Sequence, residues 1–144
     1  MAGKFARLAR RRLKAVTILE VLIVLAIIAL LASVVAPRVI GYLGRAKATT
    51  AQTQINNLDA AIGFFAIDVG RVPTDAEGLA ALFTAPASPG NWAGPYLGSE
   101  SSLIDPWGRD YIYAVTGDGT YEIRSLGRDG REGGTGLDAD LTSQ

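Results

Sequence analysis

Residues Val16–Ala36 read VTILEVLIVLAIIALLASVVA. This run matches the roughly 20 apolar residues that a helix needs to cross a bilayer core. Nearly every side chain in it is apolar, and one is charged: Glu20. On insertion scales a carboxylate at the centre of a membrane helix costs about 2.5–3.5 kcal/mol, and less near its end. A chain that keeps such an acid needs something to compensate it.

The totals narrow the possible functions. The chain has 144 residues, with no Cys and no His. These absences remove disulfide staples, thiol nucleophiles, Ser-His-Asp triads and ordinary zinc sites. The net charge of zero conceals a strong asymmetry. Lys4, Arg7, Arg10, Arg11, Arg12 and Lys14 crowd the first fourteen positions, with no acid among them. From Val16 onward eight basic residues face fourteen acidic ones. A basic head, an apolar rod and an acidic body follow one another. The acidic body argues against nucleic acid as a partner. The basic head before the rod predicts a cytoplasmic N-terminus with the C-terminal body on the far side. An ordinary secretory signal would have a shorter apolar region and a small-residue cleavage site after it, whereas here Pro37 follows Ala36.

Helix is predicted to continue beyond the rod. Ile55, Leu58, Ile62, Phe65 and Val69 recur at steps of three and four, with Gln54, Asn56, Asn57 and Asp59 opposite. Pro37 removes one backbone hydrogen bond and predicts a kink or loosening, which Gly41 and Gly44 would ease. The expectation is one helix of about fifty residues, ending near Val69-Gly70.

Beyond Gly70 the texture changes. Asp75–Phe83 suits a short helix with acids in its first turn. Ala85–Gly98 is rich in Pro and Gly and reads as loop. Asp105-Pro106-Trp107-Gly108 is a turn signal, and Trp107 and Tyr111 read as core and strand residues. Tyr111–Val115 and Thr120–Ser125 form a hairpin around Gly117-Asp118-Gly119. Residues 127–144 read as loop without strand. Asp105 and Asp110 are the carboxylates to weigh for acid–base chemistry, but nothing in the sequence gives them a pocket.

The tail sets Asp129, Glu132, Asp138 and Asp140 among Gly127, Gly130, Gly133, Gly134 and Gly136. Hard oxygen donors on a Gly-rich loop suit Ca²⁺, which takes six to eight oxygens. The residues alone leave two readings open, a calcium loop and a solvated acidic tail. Asp138-Ala139-Asp140 opens like an EF-hand loop but lacks the closing Glu. Gly133–Asp138 resembles a single RTX repeat, which cannot stack alone.

The junction Lys14-Ala15-Val16-Thr17-Ile18-Leu19-Glu20 resembles the leader boundary of the type IV pilin-like family. There a basic leader ends in Gly, or less often Ala, and Thr-Leu-Ile-Glu follows the first mature residue. The body resembles the major (G-type) pseudopilins of type II secretion. The resemblance lies in Gly70-Arg71-Val72-Pro73-Thr74, Glu77-Gly78-Leu79-Ala80-Ala81-Leu82, Asp105-Pro106-Trp107-Gly108-Arg109-Asp110-Tyr111 and Ser125-Leu126-Gly127-Arg128-Asp129-Gly130.

The resemblance implies an α+β, type IV pilin-like fold: a long N-terminal helix packed on a small antiparallel sheet, with a C-terminal calcium loop. It implies four regions. Residues 1–15 form a cleaved leader, 16–36 a transmembrane and polymerisation segment, 37–70 the amphipathic half of the helix, and 71–144 a periplasmic body. It also implies cleavage between Ala15 and Val16 by a prepilin peptidase, and N-methylation of Val16. In the filament so implied, Glu20 meets the Val16 amine of a neighbouring subunit and the helix loosens near Pro37. An unpaired buried charge would then favour assembled over isolated subunits.

By the same resemblance, calcium is held by Asp129, Asp138 and Asp140 with the Leu126 carbonyl, the choice between Asp138 and Asp140 staying open. The implied partners are further copies of the chain, minor pseudopilins and the inner-membrane assembly platform. No small-molecule substrate and no enzymatic activity are expected. The motor must be another protein, because this sequence has no phosphate-binding loop. Two alternatives share much of the pattern: a type IV pilus subunit for adhesion, motility or DNA uptake, and a membrane-anchored calcium module that never polymerises.

Overall fold

Ile55, Leu58, Ala61, Ile62 and Phe65 fall on one helical face, and all are buried. They lie in α1, Ile18–Val69, which ends at Gly70 in the left-handed region (φ 81°). In this computed structural model residues 17–117 and 119–143 are described. The chain divides into two units between Val39 and Ile40.

In the first unit every residue from Thr17 to Val39 is exposed. An 18-residue window of α1 has a mean hydropathy of 3.0, and none of it is buried within the chain. Pro37 lies inside α1. The helix is therefore not ended there, although the proline ring cannot donate a backbone hydrogen bond.

In the second unit the buried stripe of α1 meets Leu79, Ala81, Leu82, Tyr111 and Ile123. The edge of Tyr96 packs on Phe65, with ring centroids 6.0 Å apart and planes at 70°. The short helix expected over Asp75–Phe83 is a 3₁₀ helix at Gly78–Leu82. Before it, Glu77 accepts from the Thr74 backbone N–H at 2.9 Å and pairs with Arg71 at 2.7 Å. A second 3₁₀ turn, Glu100–Leu103, starts at Ser99, whose hydroxyl accepts from the Ser101 N–H.

The sheet has three antiparallel strands: β1 (Ile112–Val115), β2 (Tyr121–Ser125) and β3 (Leu141–Thr142), in that order. Tyr113 opposes Ile123 in the hairpin, and Ser125 opposes Leu141 across the other edge of β2. The third strand corrects the expectation that 127–144 holds no strand. Its two residues are too few to show an alternating pattern, and tertiary contacts define it. Leu141 packs against the core. The Ser143 N–H donates to the Ile123 carbonyl at 2.9 Å, and the Ile123 N–H donates to Ser143 Oγ at 3.0 Å. Trp107 is half-buried in its turn, not in a strand, while Tyr111 is buried just ahead of β1.

Tyrosine hydroxyls join the body to α1. Tyr111 donates to Gln54 Oε1, Tyr96 to Asp68 Oδ2 and Tyr121 to Asp59 Oδ1, each at 2.8 Å. Each ring fills apolar space while its hydroxyl reaches a polar group on the helix.

Candidate functional site

Two places carry the residues singled out by the sequence: the start of α1 and the loop between β2 and β3. Ala15 and Val16, the expected cleavage site, lie outside the described residues.

Thr17 precedes α1, and its hydroxyl accepts from the Glu20 backbone N–H at 3.2 Å. This is an N-cap, the remedy for one of the donors that a helix start leaves unpaired. The Thr-x-x-Glu spacing of a capping box was present in the sequence, and it gives Thr17 a local role beyond matching a leader consensus. Glu20 sits in the first turn, where the helix dipole favours a negative charge. Around it Ile18, Leu19, Val21, Leu22, Ile23 and Val24 are all exposed. The described residues offer this surface no cover, and burying each such side chain is worth about 1.5–3 kcal/mol.

The second site begins from a buried anchor. Asp105 Oδ1 accepts from the N–H groups of Trp107 (3.0 Å) and Arg109 (2.9 Å), and Oδ2 accepts from the Ser125 hydroxyl at 2.7 Å. Arg109, fixed by this turn, donates through its guanidinium to the Gly127 carbonyl. Its side chain also fills the space that a Cβ on Gly130 would need, 2.9 Å away. Asp105 is thus committed to backbone N–H groups, a hydroxyl and the Arg109 guanidinium 3.7 Å away, while Asp110 is exposed and bridges Ile104 through its backbone. They do not form an acid–base pair.

From Gly127 the loop folds back tightly. A Cβ on Gly127 would lie 2.6 Å from the Ala139 carbonyl, and one on Gly134 would lie 2.3 Å from the Asp138 carbonyl. The acids point to different partners. Asp129 Oδ1 accepts from the Arg131 N–H at 3.1 Å. Asp138 is held by both prongs of Arg128, at 2.7 and 2.9 Å, and the guanidinium holds its carboxyl below the usual carboxylate range. Asp140 Oδ2 accepts from the Gly133 N–H at 3.0 Å and lies 3.8 Å from Arg124 Nη1. Arg124 also pairs with Glu132 at 3.2 Å. Asp140 Oδ1 and Arg124 Nε are buried and have no hydrogen-bond partner among the described residues.

For calcium, the fit is one of donor type. The donors are hard oxygens, and Asp140 Oδ1 is a buried acceptor with no hydrogen-bond partner among the described residues. The carboxylates do not converge, however. Among the described residues no three of His, Cys, Asp and Glu are grouped to hold a metal ion.

Comparison with known proteins agrees with this arrangement of elements. A family model described as "Type II secretion system (T2SS), protein G" matches residues 38–144. The chain is 38% identical over 130 residues to "Type II secretion system core protein G" of Xanthomonas campestris pv. campestris, covering 90% of this chain and 88% of the relative. It is 39% identical over 137 residues to the protein of the same name from Vibrio cholerae serotype O1, covering 91% of each. Among solved structures, the crystal structure of the major pseudopilin from the type 2 secretion system of enterohaemorrhagic Escherichia coli superposes with a TM-score of 0.57 at 26% identity. That match covers 72% of this chain and 90% of the other. With matches that run through both the apolar helix and the body, the chain belongs to the type II secretion system protein G family.

Proposed function

We propose that this chain is the repeating subunit of a pseudopilus, a structural protein whose polymerisation drives secretion of folded proteins, and that it has no catalytic activity. The observation that carries the reading is the first unit of α1. From Ile18 to Ala36 it is apolar except at Glu20, one turn from the capped start, and at Ser33, and no described residue of the chain covers it.

The subunit is inserted through this helix, with its basic leader in the cytoplasm and its body in the periplasm. A prepilin peptidase cuts between Ala15 and Val16, and Val16 is then methylated. The new amine gives Glu20 of a neighbouring subunit a cationic partner. Carboxylate and amine pair only when helices pack in parallel and in one register, so the cost of each buried charge is relieved by assembly. Pro37 allows the helix to loosen as it packs. Minor pseudopilins and the inner-membrane assembly platform are the partners in initiation and growth. Family membership supports this reading over an adhesion or motility pilus.

Calcium belongs to the same proposal. Asp129, Asp138, Asp140 and the Leu126 carbonyl are the groups to hold it. When bound, the ion supplies the positive charge that draws these carboxylates together and staples the loop without a disulfide. The buried, unpartnered Asp140 Oδ1 supports this assignment.

The test of assembly is Glu20→Ala in membranes. Filament formation and secretion should be lost while membrane insertion and subunit level stay normal. Unchanged self-association of the variant would overturn the reading and leave a membrane-anchored module in its place.

A further inference from the structure

The loop between β2 and β3 holds four acids: Glu132 and Asp140 both lie beside Arg124, Asp138 pairs with Arg128, and Asp129 accepts from a backbone N–H. Only one has both carboxylate oxygens taken by a single side chain: Asp138, by Arg128 at 2.7 and 2.9 Å. Arg128 and Asp138 are ten residues apart and lie on opposite limbs of the loop, so their pair closes it. Asp140, two residues on, lies beside Arg124, and its buried Oδ1 has no hydrogen-bond partner among the described residues. Asp129, next to Arg128, accepts from the Arg131 backbone N–H. Of the groups assigned to a cation, Asp138 is thus the one whose two oxygens are both held by a guanidinium fork.

We propose that Arg128 is a built-in competitor for calcium at Asp138: a positioning residue that latches the loop when no cation is bound and must release Asp138 before a divalent ion can take it. This rests on the calcium reading given above. The physical basis is that a bidentate guanidinium occupies the carboxylate oxygens that a hard cation requires. A carboxylate cannot give both oxygens to both partners. Arg128 also places a positive charge beside the site, and that charge opposes a divalent ion until the side chain swings out.

The latch makes the cation-free loop more than a collection of repelling acids. Arg128 neutralises Asp138, and Arg124 sits between Glu132 and Asp140. The loop therefore has two closed forms, one held by arginine and one held by calcium. Arg128 sets the calcium concentration at which one replaces the other. Its side chain is about half exposed. It can leave Asp138 for solvent without breaking the core, so the exchange requires no unfolding of the sheet.

The experiment is calorimetric titration of calcium into the full chain in detergent micelles. It compares the native protein with Arg128→Gln and Arg128→Lys, each also melted in excess chelator. Arg128→Gln should bind calcium roughly threefold or more tightly, by the strength typical of such a pair. It should melt lower than the native protein in chelator, and the difference should shrink in calcium. Arg128→Lys, which keeps the charge but not the fork, should fall between the two. In an Asp138→Asn background the Arg128→Gln effect on calcium should vanish. Were it to persist there, Arg128 would be acting as a distant charge and the latch would be overturned. Equal calcium affinity in the native protein and Arg128→Gln would overturn the latch and leave the calcium reading intact. No calcium uptake by either protein would overturn both.

Discussion

Ser125 at the end of β2 donates its hydroxyl to Asp105 Oδ2 at 2.7 Å, and both side chains are buried. The bond joins the turn before β1 to the strand that leads into the C-terminal loop. The same carboxylate holds the Trp107 and Arg109 N–H groups, so one acid organises a turn, a strand end and the arginine that reaches Gly127. Asp105→Ala leaves these buried donors unpaired and should destabilise the second unit by about 2–4 kcal/mol. Trp92 and Trp107 both lie in this unit, so urea unfolding followed by tryptophan fluorescence measures the loss. An unchanged midpoint would mean that the turn holds without its acid.

Acid should weaken the body through Glu77. Its carboxyl is lowered from the ordinary 4.5 to about 2, first by the Arg71 side chain and then by the Thr74 N–H. A lowered folded-state value means that the contribution is fully present above about pH 4.5. It is lost as the pH falls from there toward 2. Arg71 is partly exposed, so the effect is about 1 kcal/mol once solvent screening is allowed for. Glu77→Gln should flatten this part of the stability–pH curve. A native-like slope in the variant would assign the acid sensitivity to other carboxyls.

Alkali should act through buried phenols. Burial pushes the Tyr113 hydroxyl up to about 12, and Tyr111 and Tyr121 are raised further, the latter also by its bond to Asp59. These groups stay neutral in the folded chain, while the unfolded chain ionises them near pH 10. Stability is therefore full below about pH 10 and falls as the pH rises through 12. Tyrosinate absorbance should rise together with the loss of tryptophan signal. Ionisation of all five tyrosines before any unfolding would contradict the burial.

Two adjacent glycines separate backbone strain from steric conflict. Gly133 and Gly134 both sit near φ +88°, yet only at Gly134 would a Cβ collide, 2.3 Å from the Asp138 carbonyl. Gly133→Ala should cost about 1 kcal/mol for conformation alone. Gly134→Ala should cost roughly 2 kcal/mol more, because the returning limb must shift. Thermal melts of the two variants should differ by several degrees, and equal melts would mean that the loop yields easily.

What the sequence made legible was what repeats. Ile55, Leu58, Ile62 and Phe65 announce a buried helical face because successive turns carry the same signal, and Glu20 stands out as the one charge in the apolar run 16–36. The hairpin is marked by glycines and alternating residues. The rest depends on meetings between distant residues. Asp105 was readable as a turn former, but its bond to Ser125 spans twenty positions. Leu141–Thr142 is a strand only because Ile123 lies beside it, and the Arg128 fork on Asp138 exists only once the loop has folded back. The carboxylates of the tail were legible as a group, whereas their separate arginine and backbone partners were not.

The sheet also imposes an order in time. Ile123 is flanked on one side by Tyr113, ten residues earlier, and on the other by Ser143, twenty residues later. While the chain emerges from a ribosome or a translocation channel, β2 remains an unpaired edge until residue 143 is free. The body therefore cannot close its sheet during synthesis until residue 143 has been made. β1 and β2 can pair as a hairpin first, and β3 joins them only after the whole acidic loop between β2 and β3 has been made.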